Sequence, residues 1–308
     1  MNPESGTLNG GLLQVFDSGI TLIIWLQQFS PTMDPIFKAL TFLGDETFFL
    51  LSLPCIYWCL NKKIGARLSV LFLSSAYINM VAKCLADLPR PFDYSPSIQP
   101  LVEATGGGFP SGHTQGAVVF WGYLAYCYPN TFFRCLAGFL ILGIPFSRVY
   151  LGVHFPIDLI GGYLIGMLLV YAFIKGESLF ARWKETLGFT GLLVAASCLP
   201  ALLALLFSAN KTAVAAMAAL AGLGVGFVLE ERYLGFRTAR TYGRKGAGFF
   251  AGMAVFALIY IGLKEFFTGL EPVALFRFIR YSLVGLWGGV GAPWLFLRLK
   301  WSAYESNR

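Results

Sequence analysis

Residues 156–175, PIDLIGGYLIGMLLVYAFIK, decide the fold. They are 20 consecutive positions with one acid, Asp158, near the first end and one base, Lys175, at the last. About 20 apolar residues is the length a helix needs to cross the hydrocarbon of a bilayer, where the backbone must satisfy its own hydrogen bonds. Similar stretches lie on both sides, near 35–60, 66–88, 115–129 and 132–152 before it, and 187–208, 212–229, 247–264 and 275–298 after it. An earlier stretch, Leu12 to Phe29, is apolar but carries Gln14, Asp17, Gln27 and Gln28, which suits a helix lying in the interface. The expected fold is therefore all-α, a polytopic membrane helix bundle of about nine transmembrane helices plus an N-terminal interfacial helix.

Composition agrees with this reading: 56% of the chain is apolar, 13% is charged, and it holds 29 Phe. The formal net charge of +7 would suggest nucleic acid in a soluble protein, but here the basic residues collect between spans. With the loop after the first span cytoplasmic, fifteen Lys and Arg fall inside, from Lys62 to Arg308. Seven fall on the other side, and Lys38 lies in the first segment. The bias sets an orientation and excludes nucleic acid as the partner; the membrane takes that place.

The chain has only two histidines, and both stand at span ends on the same expected side, the non-cytoplasmic one. Three clusters meet there. Lys83 is followed after six residues by Arg90-Pro91, at the outer end of one span. Pro110-Ser111-Gly112-His113 opens the next, and Ser147-Arg148 precedes His154 and Asp158 around the start of 156–175. Lys83, Arg90 and Arg148 bring three cations to one interface, where uncompensated charge is costly, so an anion is expected; an arginine fork can take two phosphate oxygens. His154 and Asp158 are four apart and share a helix face, so the carboxylate can hold one ring nitrogen and leave the other to attack. Ser111 and the Gly112 amide precede a helix start, a place suited to phosphate oxygens, and His113 beside them is a candidate acid.

Together the clusters resemble the tripartite signature of the type 2 phosphatidic acid phosphatase superfamily, K-x6-R-P, P-S-G-H and S-R-x5-H-x3-D, matched here at every fixed position between residues 83 and 158. The resemblance implies a phosphohistidine intermediate on His154, a charge partner in Asp158 and leaving-group protonation by His113. It also implies phosphate binding by Lys83, Arg90, Ser111, Gly112 and Arg148. It implies no metal and no cofactor, in keeping with a sequence that lacks a clustered set of carboxylates and histidines. Leu43-Gly44-Asp45-Glu46-Thr47-Phe48-Phe49 and the nine-span length look like the sphingosine-phosphate phosphatase branch.

The expected activity is hydrolysis of a phosphomonoester or diphosphate of a lipid drawn from the bilayer: phosphatidic acid, a sphingoid-base phosphate or a polyprenyl diphosphate. Two alternatives stand beside it. One is a lipid phosphotransferase using the same intermediate, and the other is a non-catalytic lipid transporter, in which His154 would be dispensable. Residues 1–185 are expected to form the phosphatase core with the three motifs, and residues 186–308 additional C-terminal helices. The sequence leaves the oligomeric state open.

Overall fold

The computed structural model describes residues 10–267, 269–270 and 273–304, and Arg308, one of the expected inside cations, lies outside them. The described chain is almost wholly helical. In order it has α1 (Gly10–Gln27), α2 (Asp34–Phe42), α3 (Glu46–Cys55), α4 (Lys62–Ala86), α5 (Pro91–Tyr94), α6 (Gly112–Cys127), α7 (Thr131–Tyr150) and α8 (Pro156–Leu206). α9 (Lys211–Leu229), β1 (Phe236–Arg237), α10 (Tyr242–Phe266), α11 (Ala274–Leu286), α12 (Ala292–Arg298) and β2 (Ala303–Tyr304) follow. Single π turns continue α3 over Ile56–Leu60, α9 over Glu230–Leu234 and α11 over Trp287–Gly291.

Among the described residues, six helices are long and apolar enough to cross a membrane, or seven if the bent pair α2 and α3, with its continuation to Leu60, counts as one span. α1 is one of the six, at 18 residues. α6, expected as a span, has 16 residues. The segments expected as separate spans at 156–175 and 187–208 lie in one 51-residue helix, interrupted at Gly188, where φ is 59° and ψ is −170°. The linker between them explains this. Residues 176–187, GESLFARWKETL, contain no proline and many strong helix formers, so polarity ends the apolar run without ending the helix.

The chain divides into two compact units. The first contains residues up to Phe48 and Val81–Val170. Its centre is α7, which packs on α6, α2 and α1. Phe16 of α1 stacks on Phe155 at 4.6 Å, and Phe37 of α2 stacks on Tyr150 at 4.1 Å. Tyr150 also donates its hydroxyl to Asp34 at 2.7 Å. The stretch expected to lie in the interface thus buries Phe16, Ile23 and Leu26 in one apolar cluster with Val149, Leu151, Val153 and Phe155. α8 approaches α6 closely where Gly162 and Gly166 face Thr114 and Val118; a Cβ on either glycine would fall under 3.0 Å from those side chains. That approach sets the start of α8 beneath the start of α6.

The second unit contains Phe49–Met80 and Tyr171–Arg308. Its strongest packing joins α9 to α11 through facing small residues. Tyr57 and Trp58, in the first π turn, donate to the carbonyls of Gly289 and Gly288 in the third, at 3.0 and 2.9 Å. Glu230 is buried and accepts from Lys62 Nζ at 3.1 Å and from the Phe236 amide at 2.7 Å. The buried carboxylate therefore has both a counter-charge and a backbone donor, as burial demands.

A Cβ at Gly222 would lie 1.9 Å from the Ser282 carbonyl oxygen, a backbone atom that cannot rotate away. Gly222→Ala is expected to destabilise the detergent-purified protein by about 1–3 kcal/mol, as overpacking does. An unchanged thermal melt would contradict the helix contact.

Candidate active site

Every sequence-identified site residue lies in the first unit. Lys83 stands in the last turn of α4, Arg90 caps α5, Ser111 caps α6, and Gly112 and His113 are its first residues. Arg148 is in the last turn of α7, His154 lies in the short link to α8, and Asp158 is in the first turn of α8. The helix ends place all of them, because each motif ends or begins a helix.

Asp158 fixes His154. Its Oδ2 lies 3.0 Å from His154 Nδ1 and also accepts the Phe155 amide at 2.9 Å. On the far side of the ring, Nε2 lies 3.3 Å from Arg90 Nη1. A guanidinium only donates, so Nε2 is the ring's acceptor and Nδ1 carries the proton given to Asp158. His154 is 2% exposed. Burial above all, and then the cations Arg90, Lys83 and Arg148, hold its pKa well below the ordinary histidine value, so the ring is neutral. A neutral imidazole with its lone pair on Nε2 is the form a nucleophile requires.

The cations are tied to the glycine-containing loop. Arg90 Nε donates to Gly106 O at 2.8 Å, Nη2 to Thr105 O at 2.8 Å and Nη1 to Val153 O at 2.9 Å. Lys83 Nζ donates to Gly107 O and, at 3.2 Å, to Gly108 O. The two cations thus shape the loop over His154 besides carrying charge. Arg148 is buried, its Nη1 donates to Thr41 Oγ1 at 2.6 Å, and its Nε has no acceptor among the described residues.

Ser111 is fully buried, and its hydroxyl oxygen accepts the Thr114 amide at 3.3 Å, which caps α6. Its own amide donates to the Asp158 carbonyl at 2.9 Å. The Gly112 amide belongs to the first turn of α6, where N–H groups have no partner within the helix. His113 Nε2 lies 2.7 Å from Asp45 Oδ1. Asp45 and Thr41 are the partners that sequence reasoning assigned no role. The available signal was an acid after a glycine at a break in an apolar stretch, Leu43-Gly44-Asp45-Glu46.

A helical membrane chain that gathers a buried, carboxylate-held histidine and three cations at its helix ends has the makings of an anion-binding site. Residues 65–182 match the PAP2 superfamily, and residues 214–304 match the PAP2 superfamily phosphatase, transmembrane extension. The chain belongs to the PAP2 superfamily. A probable sphingosine-1-phosphate phosphatase from Dictyostelium discoideum is 29% identical over 184 residues, 54% of this chain and 44% of that protein. Phosphatidylglycerophosphatase B from Bacillus subtilis is 28% identical over 159 residues, 47% of this chain and 75% of that protein. The chain thus spans less than half the length of the first of these relatives. The crystal structure of the first transmembrane PAP2 type phosphatidylglycerolphosphate phosphatase from Bacillus subtilis superposes with a TM-score of 0.47 at 22% identity, covering 55% of this chain and 88% of that one.

Arg90→Lys keeps the charge but cannot reproduce a planar fork that reaches the carbonyls of Thr105, Gly106 and Val153. The substitution is expected to cost about 1–3 kcal/mol of stability for the donors lost to buried acceptors. A thermal melt matching the parent would show that the fork does not hold this loop.

Proposed function

We propose that this chain is an integral membrane lipid phosphate phosphatase that works through a phosphohistidine intermediate on His154. The observation that carries the reading is His154 held between Asp158 at Nδ1 and Arg90 at Nε2. Nε2 attacks phosphorus in line as the bond to the leaving oxygen breaks, releasing the lipid alcohol from a monophosphate or the lipid phosphate from a diphosphate, and His113 delivers a proton to that oxygen. Water then attacks phosphorus, His113 takes its proton, the P–N bond breaks, and His154 is restored with release of inorganic phosphate. Asp158 balances the charge that the ring gains in the first step.

Lys83, Arg90 and Arg148 stabilise the negative charge on the transferring group, together with the Ser111 hydroxyl and the Gly112 amide at the helix N-terminus. A phosphate oxygen supplies the acceptor that the buried Arg148 Nε lacks among the described residues. The reaction uses no metal and no cofactor, since positioned cations and an oriented nucleophile provide both functions. The substrate is a lipid monophosphate or diphosphate, such as phosphatidic acid, a sphingoid-base phosphate or a polyprenyl diphosphate, drawn from the bilayer. Sphingosine-1-phosphate phosphatase and phosphatidylglycerophosphatase are among the names of the relatives.

Residues 1–185 carry the three phosphatase motifs and residues 186–308 are the appended membrane helices, although Phe49–Met80 and the chain from Tyr171 pack in the second unit. The chain crosses about nine times, with the active site on the non-cytoplasmic face. A cysteine introduced at the exposed Ser97, in a background without the native cysteines, reports the side. It is expected to react with an impermeant thiol reagent in intact cells, and labelling only after lysis would reverse the orientation.

The activity is tested with the detergent-purified protein in the presence of chelator, offered phosphatidic acid, sphingosine phosphate, phosphatidylglycerol phosphate and polyprenyl diphosphate. Acid-labile phosphate is expected on His154, and His154→Ala is expected to release phosphate at least about 1,000-fold more slowly. Equal release by parent and variant would remove His154 from the mechanism.

A further inference from the structure

We infer that the turn between α2 and α3, outside the three motifs, is a working part of the active site, with Asp45 as the positioning residue for the acid His113. This rests on the phosphatase reading given above. Asp45 Oδ1 takes the Nε2 side of His113 at 2.7 Å, across 68 residues of sequence. Four residues earlier, Thr41 takes Arg148 Nη1 at 2.6 Å, across 107 residues. The last turn of α2 and the bend after it therefore hold a member of the second motif and a member of the third.

The turn is built for this approach. The Gly44 amide donates to Thr41 O at 2.8 Å and the Asp45 amide to Phe42 O at 3.1 Å, which closes the chain on itself after α2. A Cβ at Gly44 would lie 3.0 Å from His113 Cδ2 and 2.7 Å from Ile144 Cγ2. Only glycine lets the backbone stand against the imidazole edge and aim the next carboxylate at its nitrogen. Thr41 is buried, so its hydroxyl is fixed beside the buried guanidinium.

The chemistry gives the contact its use. A general acid must present its proton to the leaving oxygen in one orientation, and an imidazole with two nitrogens can do so from either edge. With Asp45 accepting the Nε2 proton, Nδ1 is the nitrogen that serves the lipid oxygen. When His113 later collects the proton from water, the carboxylate offsets the positive charge of the ring. Asp45 touches neither the substrate nor phosphorus; it acts through His113.

A merely structural tie between the turn and α6 would look the same in the fold but not in the kinetics. Protonation matters for an alkyl leaving group and far less for an aryl one, because a stable phenolate leaves unaided. The measurement is kcat/KM, which ends at loss of the leaving group, for a lipid alkyl phosphate and for p-nitrophenyl phosphate. It is made with the full-length parent, Asp45→Asn and Asp45→Glu. Asp45→Asn is expected to lower the alkyl value about 100-fold and to shift the alkyl-to-aryl ratio at least about 10-fold, with Asp45→Glu recovering part of the shift. Equal loss on both substrates, or no loss, overturns the role of Asp45. Phosphohistidine formed from the aryl ester by the parent separates the two readings. Its presence with an unchanged ratio removes Asp45 alone, whereas its absence in the parent removes the phosphatase reading and this inference together.

Discussion

One carboxylate organises the first unit. Asp158 holds His154 through Nδ1 and the Phe155 amide through the same oxygen, while its backbone carbonyl receives the Ser111 amide. A buried acid is tolerated only where donors and opposite charge meet it. Here both donors to the carboxylate come from the third motif at Oδ2, the second motif reaches only the backbone carbonyl, and Oδ1 has no partner among the described residues. Arg90, of the first motif, completes the arrangement by closing on the other edge of His154. The spacing of the third motif is thus a geometric necessity. His154 and Asp158 stand four positions apart because the carboxylate at the first turn of α8 must reach back over the residues that enter it.

The surroundings carry that arrangement. The start of α8 meets the start of α6 because Gly162 and Gly166 allow the two helices to touch. α1 covers the link that holds His154, with Phe16 stacked on Phe155 and Tyr94 set edge-on to both. Burial of apolar groups on one side of the link and cations on the other gives the imidazole a dry, positively charged setting, in which an incoming phosphate is the natural counter-ion.

Much of this was legible in the sequence. Lys83, Arg90, His113, Arg148, His154 and Asp158 stand out in the sequence as candidates because charge and histidine in an apolar chain are costly, and Ser111 is marked by its place before a helix start. Asp45 and Thr41 could not be assigned a role, because their partners lie 68 and 107 residues away and no local spacing links them. Span boundaries are less legible. Hydropathy reports where apolar residues stop, whereas the helix stops where backbone preference changes, and in α8 that is Gly188. α1 showed the opposite difficulty, since its glutamines hid a buried face made of Phe16, Ile23 and Leu26.

The length of α8 has a consequence of its own. From Pro156 to the break at Gly188 the helix rises about 48 Å at 1.5 Å per residue, against about 30 Å of hydrocarbon. About three turns therefore exceed the apolar slab unless the rod is steeply tilted, and they bear Lys175, Glu177, Arg182, Lys184 and Glu185. Arg67 pairs with Glu177 at 3.3 Å. The stretch that looks like a linker in hydropathy is thus helix carried past the apolar slab, with its charges held on turns rather than on loop.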